Sequence, residues 1–343
     1  MASTCRASSM VILLLASVVL AGCIGPASPP VVAPSPTTTP PSPIATSPSP
    51  PPRSRSPLPT SPSPAATPSS PVLLAAGDIA SCSQDGHRKT AEILDQHPEA
   101  TVATLGDNAY NSGNARQFAC YDETWGRAKE RTRPTLGGHD YKTPNASGYF
   151  DYFGDVLEPF GETATDPDRG YYSYNLGEWH VVVLNSICQE VTGGCETDSE
   201  QVEWLREDLA ANAGDCTVAM LHHPRFSSGR KGEEAAVEPL WDVLYEHGVE
   251  LTLSADNHAY ERLAPTTPTG ELDPEAGIRQ FVVGTGGRSH YLFTEGPIQP
   301  HSESRNDDTF GVLKLTLHPD RYEWDFLPEE GKTFTDEGSE GCH

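Results

Sequence analysis

The chain of 343 residues contains no Cys-x-x-Cys pair and only one extended apolar run near its start. The missing pair argues against structural zinc, whose sites usually draw thiolates from such spacings. The apolar run at 11–20, broken only by Ser17, is shorter than the roughly 20 residues of a spanning helix. The glycines at 284–287 lack the Lys-Ser or Lys-Thr of a P-loop, so we interpret them as a tight turn near a site.

Basic side chains are also scarce, with 23 Lys and Arg against 48 Asp and Glu. The first 71 residues hold Arg6, Arg53, Arg55 and no acidic residue, so the remainder carries a formal charge of −28. This charge argues against a nucleic-acid polymer or an anionic membrane surface as a partner. An anionic substrate would need local positive charge, which metal ions can supply.

The N-terminal residues 1–23 have the pattern of a signal peptide, an apolar run followed by small residues. The sequence Leu-Ala-Gly-Cys at 20–23 resembles the bacterial lipobox, in which the cysteine is lipidated. We therefore predict lipidation at Cys23 and an extracytoplasmic protein anchored by lipid to the bacterial cell membrane. An ordinary secretory signal with an incidental cysteine is the alternative.

Residues 24–71 are rich in Pro, Ser and Thr and contain 18 of the 32 prolines of the chain. Such a segment buries too little apolar surface to fold, and its proline density favours extended polyproline II. We predict a disordered stalk here. Residues 72–343 are long enough for one domain with a substantial core.

Six cysteines fall within 72–343, and an even number in an exported chain predicts three disulfides. Cys188 and Cys195 bracket a turn-like loop that contains Val-Thr-Gly-Gly, so we pair them. Cys82 with Cys120 and Cys216 with Cys342 is then the most plausible arrangement of the others, although the sequence does not fix it.

Five short apolar segments each end in a turn that carries polar side chains of the kind that bind metals. Apolar runs of this length predict strands buried on both faces. The segments are 72–78, ending at Asp78; 100–110, ending at Asp107 and Tyr110; 133–140, ending at His139 and Asp140; 216–224, ending at His222 and His223; and 249–258, ending at Asp256 and His258.

Helical patterns at 87–97, 198–211 and 233–247 alternate with these strands and predict βαβ units. Two further segments, 171–186 and 310–328, have the pattern of antiparallel hairpins. We therefore predict an α/β fold of two mixed sheets flanked by helices. Ligands of such sheets bind beyond the carboxyl ends of the strands, where the polar clusters lie.

The clustered side chains are carboxylates, imidazoles and a phenol. These hard to borderline ligands suit iron, manganese or zinc. A carboxylate shared between two ions roughly 3.5–4 Å apart is the arrangement of dinuclear hydrolases. The composition of the clusters therefore favours a metal-dependent hydrolase.

Five short motifs follow one another along the chain: GD at 77–78, GDNAY at 106–110, GGHDY at 137–141, HHPRFSSG at 222–229 and ADNHAYER at 255–262. Together they resemble the calcineurin-like metallophosphoesterases, and the tyrosine of GDNAY and the HAYER tail resemble the purple acid phosphatase branch. RQFVVGTGG at 279–287 and FGVLKL at 310–315 resemble exported actinobacterial members. The resemblance implies a four-layer α/β/β/α sandwich that hydrolyses phosphate esters with a metal-activated hydroxide.

The resemblance also implies roles for single residues. One metal would be held by Asp78, Asp107, Tyr110 and His258, and a second by Asp107, His222 and Asp256, with iron and either manganese or zinc as the ions. His139 would contact the phosphate, and Asp140 would orient His139. His223 would line the pocket, and Lys231 would lie near the leaving group or clamp the phosphate.

The chain departs from the family pattern at two positions of the second metal site. Gly138 stands where the family has an asparagine, and Asp256 stands where it has a histidine. Asp256 could retune the site toward Mn, Mg or Ca. Alternatively the second ion is lost, and the protein is a catalytically impaired lipoprotein that binds a phosphorylated ligand or partner.

We expect a small phosphorylated substrate, as monoester or diester. A small nucleotide is a further candidate substrate. We expect the protein to contact the membrane only through its lipid anchor. We expect a monomer.

Overall fold

The computed structural model describes residues 70–293 and 297–343. The predicted signal peptide, the lipidation site Cys23 and nearly all of the predicted stalk at 24–71 lie outside the described residues. Among the helices that the structure describes, none is both long enough and apolar enough to cross a membrane.

The described residues alternate strands with helices and short 3-10 turns. The strands are β1 (Val72–Ala76), β2 (Ala80–Ser81), β3 (Thr101–Leu105), β4 (Ala109–Tyr110), β5 (Thr132–Thr135), β6 (Tyr172–Leu176), β7 (Trp179–Val183), β8 (Thr217–Met220), β9 (Leu251–Ser254), β10 (Tyr260–Leu263), β11 (Arg279–Val283), β12 (Ser302–Asn306), β13 (Gly311–His318), β14 (Arg321–Pro328) and β15 (Glu337–Gly341). The helices are α1 (Gly86–Asp95), α2 (Ala115–Asp122), α3 (Ser147–Leu157), α4 (Glu162–Thr165), α5 (Glu200–Ala211) and α6 (Glu238–Glu246).

One sheet has the strand order β15-β14-β13-β1-β3-β5. Its β1, β3 and β5 are parallel neighbours, while β13 is antiparallel to β1, β14 to β13, and β15 to β14. The three parallel strands are the predicted segments that begin at 72, 100 and 133. Their carboxyl ends therefore lie at one edge of the sheet, as the βαβ pattern predicts.

The other sheet has the order β12-β10-β11-β9-β8-β7-β6. Its centre is parallel, with β8 between β7 and β9, and β11 beyond β9. The hairpins predicted at 171–186 and 310–328 are confirmed as β6–β7 and β13–β14. A separate parallel pair, β2 with β4, lies in the loops that follow β1 and β3.

The core consists of two apolar clusters, one on each face of the second sheet. The larger apolar cluster combines the inward side chains of both sheets, such as Val181 and Leu313, with residues of α1, α2 and α3. The smaller cluster packs α5 and α6 against the opposite face of the second sheet, through Val182 and Ala219. Successive residues of β7 therefore enter different layers, because side chains alternate along a strand. The predicted fold of two mixed sheets flanked by helices is confirmed.

The three predicted disulfides are present: Cys82–Cys120, Cys188–Cys195 and Cys216–Cys342. The first joins the loop after β2 to α2. The last joins the residue before β8 to the residue after β15, so it links the two sheets covalently.

Candidate metal centre

Three aspartates at the carboxyl ends of strands adopt a left-handed backbone conformation. Asp78 follows β1 with φ of 56°, Asp107 follows β3 with φ of 51°, and Asp256 follows β9 with φ of 65°. Non-glycine residues rarely occupy this region, and such strain concentrates at functional sites. All three aspartates are buried, at the carboxyl ends of their strands.

Gly106 brings the turn after β3 close to the turn after β8. Its φ is +84°, and a Cβ at this position would lie 2.6 Å from Nδ1 of His222. A glycine is therefore required for both the backbone conformation and the close approach. This approach is what allows Asp107 and His222, from different sheets, to share one site.

Four of the predicted metal ligands converge, and we call Asp78, Asp107, Tyr110 and His258 the first cluster. The Tyr110 hydroxyl lies 2.5 Å from Asp78 Oδ1, 2.7 Å from Asp107 Oδ2 and 3.2 Å from His258 Nε2. His258 Nε2 lies 3.2 Å from Asp78 Oδ1. The donor atoms thus surround one small buried space, as the ligands of a single ion must.

Ser289 and Tyr291 hold the His258 ring in position. Its Nδ1 is 2.7 Å from the Ser289 hydroxyl, which leaves Nε2 directed at the carboxylates. Tyr291 stacks on its face, with ring centroids 4.0 Å apart and an interplanar angle of 9°. Metal-binding histidines are usually held in this way, because the bond at one ring nitrogen orients the other.

We call Asp107, His222 and Asp256 the second cluster, which shares Asp107 with the first. His222 Nε2 lies 3.5 Å from Asp107 Oδ1 and 3.4 Å from Asp256 Oδ1. Nδ1 of His222 donates to the Leu105 carbonyl at 2.8 Å, so Nε2 is the free ligand atom. Asp78 also belongs to this neighbourhood, since ligand atoms of Asp78, Asp107 and His222 lie within 4.8 Å of one another.

Two buried ligand atoms of the clusters have no hydrogen-bond partner. Among the described residues, Asp78 Oδ2 and His222 Nε2 are buried and make no hydrogen bond. Burial alone lowers the pKa of His222, but the surrounding carboxylates, Asp107 foremost, raise it to about 10. Burial raises the pKa of Asp78, and the neighbouring imidazoles, His258 first, bring it below its ordinary value. The residues of the first cluster therefore fit a metal ion in donor type, convergence and charge.

The second cluster contains a cation of its own. The ammonium group of Lys231 forms an ion pair with Oδ1 of Asp256. Burial acts to raise the pKa of Asp256, but the nearby His222 imidazole, followed by the charge of Lys231, holds it well below its usual range. Gly138, where the family pattern has an asparagine, supplies no side chain at all.

His139 and Lys142 form one rim of the site. Nδ1 of His139 donates to the Asn111 carbonyl at 2.6 Å, and Lys142 Nζ lies 3.0 Å from its Nε2. The His139 ring packs on Tyr110 with a centroid distance of 4.3 Å, and its backbone N–H donates to Asp107 Oδ1 at 2.6 Å. Burial lowers the pKa of His139. His139 therefore lies beside the predicted ligand Asp107.

Asp140 does not orient His139, contrary to the sequence-based expectation. Its carboxylate accepts bonds from the Asn108 side chain at 2.9 Å and from Gly137 N at 3.0 Å. Successive side chains of a 3-10 turn point in different directions, so Asp140 turns into the loop while His139 faces outward. The Asn111 carbonyl orients His139 instead.

His223 lies behind the second cluster. Its Nδ1 is 3.0 Å from the Ser186 carbonyl, and its ring centroid is 5.3 Å from that of His222. A ligand atom of His223 also lies within 4.8 Å of ligand atoms of His222 and Asp256. Burial, followed by the charge of His222, lowers its pKa.

Several residues of the site were not identified from the sequence. Arg288 places its guanidinium 5.0 Å from the Tyr110 ring centroid and donates to Asn111 Oδ1 at 3.0 Å. Its backbone N–H donates to the Asp78 carbonyl at 2.9 Å, so the turn at 284–287 does approach the site as predicted. Arg288 and the Ser289 that holds His258 directly follow this turn. Their position after it was the only available signal.

One further group of metal-type side chains, Cys216, Glu250 and Cys342, lies elsewhere. Both of its sulfurs are joined in a disulfide, so neither is a thiolate ligand.

The sequence is similar to purple acid phosphatases. Purple acid phosphatase 15 of Arabidopsis thaliana is 29% identical over 189 residues, which are 51% of this chain and 34% of that protein. Purple acid phosphatase 23 of the same plant is 28% identical over 250 residues, 62% of this chain and 53% of that protein. "Probable inactive purple acid phosphatase 9" is 23% identical over 67% of this chain and 41% of its own length. The matches thus span about a third to a half of these relatives. No family model matches the sequence.

Among solved structures, the purple acid phosphatase from yellow lupin (Lupinus luteus) seeds is similar, with a TM-score of 0.61. The likeness covers 80% of this chain and 54% of that one at 18% identity. These findings support a calcineurin-like metallophosphoesterase fold for the chain.

Proposed function

We propose that this protein hydrolyses phosphate esters in a metal-dependent reaction. The observation that carries the proposal is the convergence of the first cluster around a buried space, with Asp78 Oδ2 unpaired. The two buried carboxylates of this cluster, beside one imidazole and one phenol, would be costly without a cation. The likeness to purple acid phosphatases supports phosphate esters as the substrate class.

The first cluster would hold the ion, and by the same likeness we propose iron, with manganese or zinc if a second ion binds. A bound ion supplies Lewis acidity and lowers the pKa of a coordinated water. Burial and the nearby carboxylates raise the pKa of Tyr110 well above its ordinary value. The phenol therefore keeps its proton in the protein alone and loses it only to a strongly attracting cation.

The chain's own cations would bind the substrate. Arg288 and Lys142 flank the Tyr110–His139 side of the centre, and Lys231 lies on the Asp256 side. Donors on both sides of the centre suit the several oxygens of a phosphoryl group, and they become more valuable as charge develops on those oxygens. Lys142, by its contact with His139, keeps that ring positioned at the rim.

The surrounding charge favours a small substrate. The residues after 71 carry a formal charge of −28. Arg288, Lys142 and Lys231 supply positive charge at the centre itself. A long polyanion would meet repulsion over most of the surface. We therefore propose a small phosphate monoester or diester.

A second candidate function is ligand binding without efficient turnover. The observation that favours it is the second cluster, where Gly138 lacks a side chain and Asp256 is already paired with Lys231. One relative is named as inactive, which is compatible with a loss of activity in this fold. In this case the protein would capture a phosphorylated ligand.

The test is metal-dependent hydrolysis with a ligand variant. The chain is purified without chelator, its metal content and visible spectrum are measured, and turnover of p-nitrophenyl phosphate and bis(p-nitrophenyl) phosphate is followed. We expect hydrolysis that chelation abolishes and added metal restores. Asp78→Asn should lower kcat/KM at least about 100-fold, because it removes a charged ligand.

Asp198→Asn is the matched control, since Asp198 is exposed and is not one of the predicted ligands. It should leave metal content and kcat/KM unchanged. Bound metal and phosphate binding without hydrolysis of either ester would favour the ligand-binding function. Hydrolysis that survives both chelation and Asp78→Asn would contradict a metal-dependent reaction at this centre.

A further inference from the structure

The second cluster differs from the first in having a cation already on one of its ligand atoms. Asp256 Oδ1 faces His222 Nε2 at 3.4 Å, and the Lys231 ammonium contacts this same oxygen. The Asp256 side chain is only 12% exposed, so water competes weakly for it. The oxygen that a second metal ion would need is therefore engaged by the chain itself.

The loop that carries Lys231 is anchored to the residue after Asp256. The backbone N–H of Lys231 donates to Asn257 Oδ1 at 2.8 Å, and Asn257 Nδ2 donates to the Gly232 carbonyl at 3.1 Å. Gly229 lies against the same side chain, with its Cβ position 2.5 Å from Asn257 Cγ. Asn257 thus contacts the loop at Gly229, Lys231 and Gly232. These contacts fix the backbone from which the Lys231 side chain extends to Asp256.

A ligand that the second ion would use is also missing. Gly138 has no donor atom, and a Cβ built there would meet nothing within 4 Å. No other side chain has moved into this space. The second cluster thus keeps His222 and the shared Asp107, has lost one neutral donor, and has its remaining carboxylate in an ion pair.

We propose that the ammonium group of Lys231 takes the place of the second metal ion, so that the protein binds one metal ion, in the first cluster. This inference rests on the proposed function for the first ion only. A positive charge fixed at Asp256 repels a second multivalent cation and neutralises part of the carboxylate charge that would attract it. Gly138, Lys231 and Asp256 then act together against the binding of a second ion.

The replacement retains part of the role of a second ion. A lysine ammonium is a compact point charge that binds phosphate oxygens well. It remains 38% exposed, so it can reach a substrate while paired with Asp256. It offers no coordinated water, in contrast to a metal ion. The centre therefore has one side that can activate water and one side that only binds charge.

The test is the number of metal ions bound per chain. Wild type and Lys231→Met are loaded with excess Mn(II), desalted, and analysed by elemental mass spectrometry and by titration calorimetry. We expect one ion in wild type and a second, weaker ion in Lys231→Met, because the variant frees the Asp256 carboxylate. Lys129→Met is the matched control, since Lys129 forms an ion pair with Asp155 outside the centre. It should bind one ion.

Two ions in wild type would overturn this inference and leave the proposed function standing. No ion in wild type would overturn both. A second measurement uses wild type alone: the electron paramagnetic resonance spectrum of the Mn(II)-loaded protein. We expect the spectrum of an isolated ion. A spin-coupled pair would contradict the inference even if Lys231→Met failed to fold.

Discussion

At the scale of single residues, the centre depends on aspartates in strained turns. Asp78, Asp107 and Asp256 each have positive φ, and a non-glycine residue in this region costs of order 1–3 kcal/mol. The cost is tolerated because aspartate is among the residues that enter this region most readily. In each turn the residue that adopts this conformation is also a predicted metal ligand, so one aspartate serves both purposes.

Glu250 is a buried carboxylic acid that lies outside the centre. Glu250, next to β9, accepts a bond from Thr217 N at 2.5 Å and lies at the opposite end of the strands from the metal ligands. Burial raises its pKa from 4.5 to about 7, although the Thr217 N–H acts in the other direction. The folded state therefore holds the proton of Glu250 at a pH where the unfolded chain releases it.

This pKa predicts a pH dependence of stability. Between about pH 4.5 and 7 the folded state binds more protons than the unfolded state, so the free energy of unfolding falls as pH rises. The loss from Glu250 is at most roughly 3 kcal/mol. Glu250→Gln should remove it, which denaturant unfolding of wild type and variant at pH 5 and pH 8 will measure.

Glu207→Gln, on the exposed side of α5, is the control for this experiment and should follow wild type at both pH values. An equal fall in stability from pH 5 to pH 8 in wild type and Glu250→Gln would show that Glu250 is ionised in the folded state throughout this range.

At the scale of elements, the two sheets contribute to the centre from strands far apart in sequence. The first sheet supplies Asp78, Asp107 and His139, and the second supplies His222, Asp256 and His258. The centre therefore depends on the sheets keeping their relative position. The apolar cluster between them provides most of this cohesion, and the Cys216–Cys342 disulfide adds a covalent link.

The disulfides should differ in their contribution to stability. Cys216–Cys342 spans 126 residues and Cys188–Cys195 spans 7. By loop entropy the first is worth about 5 kcal/mol and the second about 2 kcal/mol. We expect the Cys216→Ser/Cys342→Ser protein to unfold at clearly lower denaturant concentration than the Cys188→Ser/Cys195→Ser protein. Equal midpoints for the two would show that loop length does not set their contributions.

At the scale of the whole molecule, charge is distributed unevenly. The chain is strongly acidic, yet Arg288, Lys142 and Lys231 gather around one centre. The acidic surface repels anions, but salt screens this repulsion beyond roughly 8 Å at physiological ionic strength. A small anion can therefore approach the centre and bind to the three basic side chains there. The predicted lipid anchor and stalk, which would hold this acidic domain away from a membrane, stay predictions.

The charge distribution predicts discrimination by size. Labelled duplex DNA should show no binding to about 10 µM protein in fluorescence anisotropy at 50 mM salt, where even non-specific DNA-binding proteins usually associate. Inorganic phosphate should bind to the metal-loaded protein in calorimetry under the same conditions. Salt-sensitive DNA binding would contradict the proposed exclusion of polyanions and indicate a basic surface formed by the fold.

Much of this protein follows from local sequence pattern. The strands ending at Asp78, Asp107 and His222 and the helices at 87–97 and 198–211 were predictable, because apolar periodicity depends on neighbours along the chain. The pattern also predicted that the polar turns would meet, since parallel strands place their carboxyl ends at one edge. Composition gave the metal-type donor set and the acidic surface.

Only the tertiary structure decided how these residues divide their roles. The sequence put Asp140 beside His139, but the fold turns its carboxylate to Asn108 and Gly137. Lys231 and Asp256 are 25 residues apart in the chain, and their ion pair forms where Asn257 anchors the loop that carries Lys231. Side-chain direction and long-range pairing depend on how elements pack, which no local pattern contains. The kinds of ligands were therefore predictable from the sequence, whereas the pairing of Lys231 with Asp256 depends on how the elements pack.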